Sequence, residues 1–501
     1  MTHKEIIDEM KSLDADIIRL GHISALLEWD QETMMPSKAV EERAEQSALM
    51  VGLHHQHIVN PRWKELFSSW EALGENPSDE TEEAFLREVK SRWEKKTRVP
   101  KELAKKMAAA ASRSQAAWAE ARMKNDFEAF APSLEAMVQL QRQYALAIAP
   151  DADPYDTLLG EYEPGAKSDD VQKVFDELAQ GLRGLMSKIQ QGTAPNTDFL
   201  KQSFSTTQQD EFGRQVQEAM GYDYERGRLD LSAHPFTTTL GPDDVRVTTR
   251  YDAKLLLSGL FSNIHEAGHG LYEQGMGSLL RKTILADGAS LGIHESQSRF
   301  WENMVGRSLA FWTHWFPKLQ KLFPQELQSI QLKEFYDAVN EVCPSLIRVE
   351  ADEVTYSFHI IARFRLEQAL IRGELEVNDL PQAWNQAYKD LLGIDVPDDA
   401  QGCMQDVHWS VGLFGYFPTY ALGNLYAAQF SSAMETELGS LQEILRQGSL
   451  QPILDWLRCN IHEPGRTDLP QTLCQKVTGH ELSSTHFLEY LENKYAQIYH
   501  F

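Results

Sequence analysis

Two histidines four residues apart, with a glutamate directly after the first, stand at His265-Glu266-Ala267-Gly268-His269. Residues four apart sit one above the other on an α-helix, so His265 and His269 can offer two imidazoles to one metal ion. Glu266 leaves the helix about 100° away from His265, where a carboxylate can take a proton from water beside the ion. H-E-x-x-H in this form points to metal-assisted hydrolysis. The same five residues also suit two histidines capping a buried helix face, so the pattern needs a third ligand and a scaffold.

The scaffold is legible upstream. Leu255, Leu256, Leu257, Leu260, Phe261 and Ile264 set an apolar stripe at helical spacing and predict a half-buried helix from Asp252 to Tyr272. A three-ligand site leaves a fourth position for water. Glu273 lies on the same helix, but beyond the histidine pair and not across the ion. A better donor comes from a second, antiparallel helix after the turn Gly288-Ala289-Ser290-Leu291-Gly292. Glu295 is the candidate there, with His294 and Glu302 as rivals that spacing alone does not remove.

The pair H-E-A-G-H at 265–269 and H-E-S-Q at 294–297 resembles the carboxypeptidase Taq family of metallocarboxypeptidases. Four further segments match that family's pattern in order: His234-Pro235-Phe236; the D-x-R-x-T of Asp244, Arg246 and Thr248; the I-R-x-x-A-D of Ile347, Arg348, Ala351 and Asp352; and the G-x-x-Q-D-x-H-W of Gly402, Gln405, Asp406, His408 and Trp409. Trp29-Asp30 through Met35-Pro36 resembles the family's N-terminal signature, so the likeness spans nearly the whole chain.

The resemblance implies a mostly α, deep-cleft helical metallopeptidase with a small antiparallel β-sheet beside the metal helix. It implies removal of C-terminal residues from peptides with a free carboxylate. His265, His269 and Glu295 would hold one divalent ion, zinc before cobalt, and Glu266 would move the proton. It also implies a homodimer and makes Arg348 the partner of the substrate carboxylate, since a guanidinium fork matches that group. On the residues alone, Arg348 beside Glu350, Asp352 and Glu353 reads as a structural ion pair. His408 and Tyr420 are candidate donors to the oxyanion, His234 and Gln405 candidate substrate contacts, and Asp406 a candidate acceptor orienting an imidazole. The rivals are a related helical oligoendopeptidase and, in another class, a non-catalytic scaffold with a vestigial metal site.

The rest of the chain reads as helical framework. Periodicity predicts helices over Lys4–Leu27, Lys38–Val51, Ser78–Trp93, Lys101–Arg122, Pro132–Ala147 and Asp169–Gln190, with Gln191–Asn196 as a linker. We expect residues 1–200 to form one wall of a cleft and 201–501 the metal- and substrate-binding part of a single catalytic unit. Thr237–Leu240 and Val245–Tyr251 flank Gly241-Pro242-Asp243-Asp244 and predict a hairpin, held by an Asp244–Arg246 ion pair. Trp301–Trp315 reads as core helix, and Ser440–Phe501 as packing helices.

The 501 residues, 42% of them apolar, can build a large core. A net charge of −26 argues against nucleic acid and anionic membranes as partners. No apolar run reaches the length of a membrane span, and the N-terminus lacks a signal peptide's apolar stretch. Cys343, Cys403, Cys459 and Cys474 are scattered without C-x-x-C spacing, which suits reduced thiols in the cytoplasm.

Overall fold

A computed structural model describes residues 1–501, and helices carry most of the chain. The first helix, His3–Thr33, starts where Thr2 accepts from the backbone N–H of Glu5 while the Glu5 carboxylate accepts from that of Thr2. It runs past the predicted end and carries Trp29, which is 4% exposed. Val40–Ile58, Glu80–Arg98, Lys101–Lys124 and Ser168–Ile189 follow the predicted segments, the first three running past their predicted ends, and Pro61–Leu73 is a further helix. The helix placed at Pro132 begins earlier, at Phe127, because Asp126 caps Ala129 and Pro132 is tolerated inside.

The apolar interior divides in two. One core of 96 buried residues runs from Ala121 to Tyr499. A smaller one of 14 joins Ile6, Ile17, Trp63, Phe85 and Val89 to Leu280, Ile284 and Leu285. Among the N-terminal helices the division falls between Glu80–Arg98 and Lys101–Lys124, and Leu280–Leu285 crosses back to the smaller core. Residues Lys101–Ile189 contribute to the same core as the helix that carries the H-E-x-x-H motif. Asp14 ties the N-terminal unit to the segment after the motif helix, accepting from the backbone N–H of Ile284 at 2.7 Å.

The sheet has three strands, β1 (Gly227–Leu231), β2 (Thr237–Gly241) and β3 (Asp244–Thr249), in the order β1-β3-β2. The predicted hairpin is β2–β3, antiparallel with an irregularity between Thr239 and Gly241. A correction comes from β1, which pairs parallel to β3, so the sheet is mixed. Arg228 and Asp230 alternate with apolar residues over only five positions, too short a signal to mark a strand from sequence.

Asp244 and Arg246 form the expected bidentate pair, both oxygens at 2.8 Å, and the Arg246 guanidinium lies 4.3 Å over the Trp29 ring. Thr248 locks the loop into β2: its hydroxyl accepts from the backbone N–H of Phe236 at 2.9 Å and from Ser232 at 2.7 Å. Trp29 and two neighbouring motifs about 200 residues later thus serve one purpose, fixing β2 as an edge of the sheet beside the motif helix.

Candidate active site

The motif helix spans Leu256–Gln274. Its face of Leu256, Leu260, Phe261, Ile264, Ala267 and Leu271 is buried, which leaves His265 and His269 pointing together into the cleft. A second helix, Leu291–Arg299, returns against it, capped by Ser290, whose hydroxyl accepts from the N–H of Ile293 at 3.0 Å. Two glycines permit the approach. A Cβ on Gly268 would meet Cα of Ser298 at 2.7 Å, and one on Gly423, from the helix Pro418–Leu438, would meet Cγ of Glu295 at 2.6 Å. Glu295 is thereby pressed toward the histidines.

Nε2 of His265 and of His269 lie 3.7 and 3.4 Å from Oε2 of Glu295. Ligands at about 2.0–2.1 Å around a tetrahedral ion stand roughly 3.3 Å apart, so the three atoms fit a divalent metal. His265, His269 and Glu295 form a group whose ligating atoms all lie within 4.8 Å of one another. The far oxygen of Glu295 accepts from Arg299 Nε at 2.7 Å, so Oε2, 3.1 Å from the Ser298 hydroxyl, is the oxygen that faces the histidines. Burial alone raises the Glu295 carboxyl, but Arg299 and the two histidines outweigh it and hold it well below the usual range.

The three rival ligands surround this set. Glu302 accepts from His265 Nδ1 at 2.9 Å. It can reach because Phe300–Val305 widens into a π-helical turn, a geometry often found at functional sites. Against burial, Arg299 and His265 keep Glu302 ionised. His294 Nδ1 lies 2.6 Å from His269 Nδ1, and its other nitrogen lies 2.7 Å from Glu273. Glu273, His294 and Glu302 are therefore partners of the histidines.

Glu266 is buried, and Thr237 of β2 donates to its Oε2 at 2.7 Å. Burial raises its carboxyl above the ordinary range, against His265 and Thr237. Thr237, Thr238, Thr239, Glu273 and His294 line a cavity of about 460 Å³ that the first helix closes with Ile17, Ile18 and His22.

On the other side of Glu295 lies an arginine cluster. Arg299 stacks 4.5 Å over Tyr356, whose hydroxyl accepts from Arg348 at 3.2 Å. Arg348 does not pair with Glu350, Asp352 or Glu353; its partner is Asp406, at 2.9 Å. The second oxygen of Asp406 accepts from Arg363 Nε at 2.7 Å. This corrects the expectation that Asp406 orients an imidazole: His408 Nδ1 is 3.9 Å away and makes no hydrogen bond, because two guanidiniums take the carboxylate. Burial, with Arg348 and Arg363 adding to it against Asp406, lowers His408 to about 4, so the ring is neutral at pH 7. It packs on Tyr416 and Phe417 at 5.4 and 4.5 Å.

Tyr420 lies 5.1 Å from the Arg348 guanidinium and in an edge contact with Tyr416. Gln405 is fully engaged within the protein, accepting from the Arg348 N–H at 3.0 Å and donating to the carbonyls of Leu346 and Gln401, with the Tyr388 hydroxyl 3.2 Å away. His234 is exposed in the loop before β2. Thr237, Arg299, Tyr356, Arg363 and Tyr416 were not singled out by sequence. Only Arg299, one turn after Glu295 on a predicted helix, left a local signal.

Two histidines of an H-E-x-x-H helix facing a glutamate from the next helix define a class of helical metallohydrolases. The profile of the carboxypeptidase Taq (M32) metallopeptidases matches residues 9–495, and the chain belongs to that family. Thermostable carboxypeptidase 1 of Thermus thermophilus is 44% identical over 511 residues, covering 100% of both chains. Carboxypeptidase 1 of Bacillus subtilis is 39% identical, over 99% of this chain and 98% of its own. The crystal structure of an M32 carboxypeptidase from Deinococcus radiodurans superposes with a TM-score of 0.96 at 38% identity, over 99% of this chain and 100% of that one. The protein is a metallocarboxypeptidase, a hydrolase acting on peptides, and its relatives favour neither the endopeptidase nor the scaffold alternative.

Proposed function

We propose that His265, His269 and Glu295 hold one divalent ion and that Glu266 is the proton carrier for removal of a C-terminal residue. The observation behind this reading is the convergence of the three ligand atoms at tetrahedral spacing. Two imidazoles and one carboxylate suit zinc best and cobalt next. Such an ion supplies a Lewis acid and lowers the pKa of a water beside it.

Glu266 takes the water's proton and delivers it to the leaving amine. Thr237 occupies one carboxylate oxygen and leaves the other free for that work. The β2 edge can pair with the backbone of an extended peptide, with His234 flanking its entry. Arg348 receives the terminal carboxylate: two guanidiniums against the single carboxylate of Asp406 leave one positive charge. Gln405 sets the backbone of Arg348 and so acts on substrate through it. Neutral His408 donates to the oxyanion, and the Tyr420 hydroxyl stands in the same aromatic group. Four unpaired cysteines support a cytoplasmic home, and the family likeness supports a homodimer.

The deciding experiment uses peptides with free and amidated C-termini, for the native chain and Glu266→Gln. Free peptides lose residues from the C-terminus and amidated ones stay intact. Glu266→Gln keeps its metal and slows about 10²–10⁴-fold. Equal cleavage of amidated peptides, or an undiminished rate in the variant, overturns the reading.

A further inference from the structure

The two metal-site histidines have different outer partners. His265 gives its Nδ1 proton directly to the carboxylate of Glu302 at 2.9 Å. His269 meets an imidazole instead: His294 Nδ1 at 2.6 Å. Two nitrogens at that distance share one proton, so one ring donates and the other accepts. Which way the proton lies is decided across the second ring, where His294 Nε2 is 2.7 Å from Glu273 Oε1. A carboxylate can only accept, so His294 carries its proton on Nε2. Metal binding through Nε2 of His269 needs a lone pair there, so His269 carries its proton on Nδ1 and His294 Nδ1 accepts it. His269 is left with its own lone pair on Nε2, the atom 3.4 Å from Glu295. Thr239 of β2 donates to the other oxygen of Glu273 at 2.9 Å, and Tyr272 packs 5.2 Å from the His294 ring, so the pair is held from two sides.

We propose that Glu273 and His294 are a positioning pair that sets the tautomer and ring plane of His269 for metal binding. The inference rests on the metal site proposed above. It assigns a purpose to two residues that compete as ligands in the sequence. Both line the cavity beside β2, so truncating them opens space to solvent and does not leave a dry void.

The test is zinc affinity of the full-length chain, measured by competition with a chelator of known affinity. His294→Ala weakens binding about 10–100-fold. His294→Asn, whose Oδ1 stands where Nδ1 was, stays within about threefold of the native chain. Glu273→Ala weakens binding about tenfold alone and adds nothing when His294 is already alanine. Thermal midpoints of the metal-free variants move little, which a purely structural role does not allow alongside an affinity loss. Native affinity in His294→Ala, or an equal Glu273→Ala loss in both backgrounds, overturns the proposal while leaving the metal site standing. A native chain that binds no zinc in the same titration overturns the metal site and this inference together. Should His294→Ala fail to fold, Glu273→Ala measured with and without His294→Asn carries the test: with the proton-setting ring gone, the asparagine background removes most of the Glu273 loss.

Discussion

Thr237 and Glu266 join the free edge of the sheet to the motif helix: the hydroxyl donates to Oε2 at 2.7 Å and also to the Glu266 carbonyl at 3.0 Å. The strand that borders the cleft therefore also aims the carboxylate proposed above as the proton carrier.

Removing that hydroxyl while keeping its shape separates aiming from metal binding. Thr237→Val lowers kcat about 10- to 100-fold, the equivalent of roughly 1.4–2.7 kcal/mol for a hydrogen bond to a charged group. Bound metal, read by elemental analysis, stays at the native level. Full kcat in this variant means that packing alone orients Glu266.

Asp406 holds two buried guanidiniums, and neither has another carboxylate in contact. Burial raises the Asp406 carboxyl, yet Arg363 and Arg348 together bring it well below the usual range. Asp406→Asn strands two buried charges and costs about 3–5 kcal/mol in denaturant unfolding. The KM for peptides rises as Arg348 loses its position. A variant as stable as the native chain shows that the cluster is hydrated and not a buried network.

Glu163 sets a pH dependence of stability. Its carboxyl is buried under the returning helix, accepting from the N–H of Gly292 and the hydroxyl of Tyr426, and burial pushes it up to about 7 against those donors. The unfolded chain ionises near the model-peptide value of 4.5. Between those values the unfolded state has already released its proton, so stability is present in full below about 4.5 and is lost as pH rises through 7. The loss is at most about 3 kcal/mol. Glu367 is likewise pushed up to about 7 by burial, so the native slope contains both groups. The difference between Glu163→Gln and the native chain isolates one: the variant's thermal midpoint gains on the native from pH 5 to pH 8. A pH-independent difference contradicts this.

The motif helix was legible because its signals are local. A repeat of 3.6 residues places His265 and His269 on one face and Leu256, Leu260 and Ala267 on the other, whatever surrounds them. The choice among Glu273, His294, Glu295 and Glu302 was not local, since all four lie within reach of a second helix. It is made by Gly268 and Gly423, whose missing side chains set how closely three helices approach and which carboxylate is pressed inward. The partner of Arg348 was hidden for the same reason: three acids lie within five residues of it, yet folding brings Asp406 from 58 positions away. So was the parallel pairing of β1, which depends on where β3 runs. The sequence alone determined the chemistry offered, two imidazoles and a neighbouring carboxylate on one helical face, because backbone periodicity is a property of the segment itself. Only the tertiary structure decided which acid stands against both imidazoles and which of the others hydrogen-bond around them, because distance between segments is a property of packing.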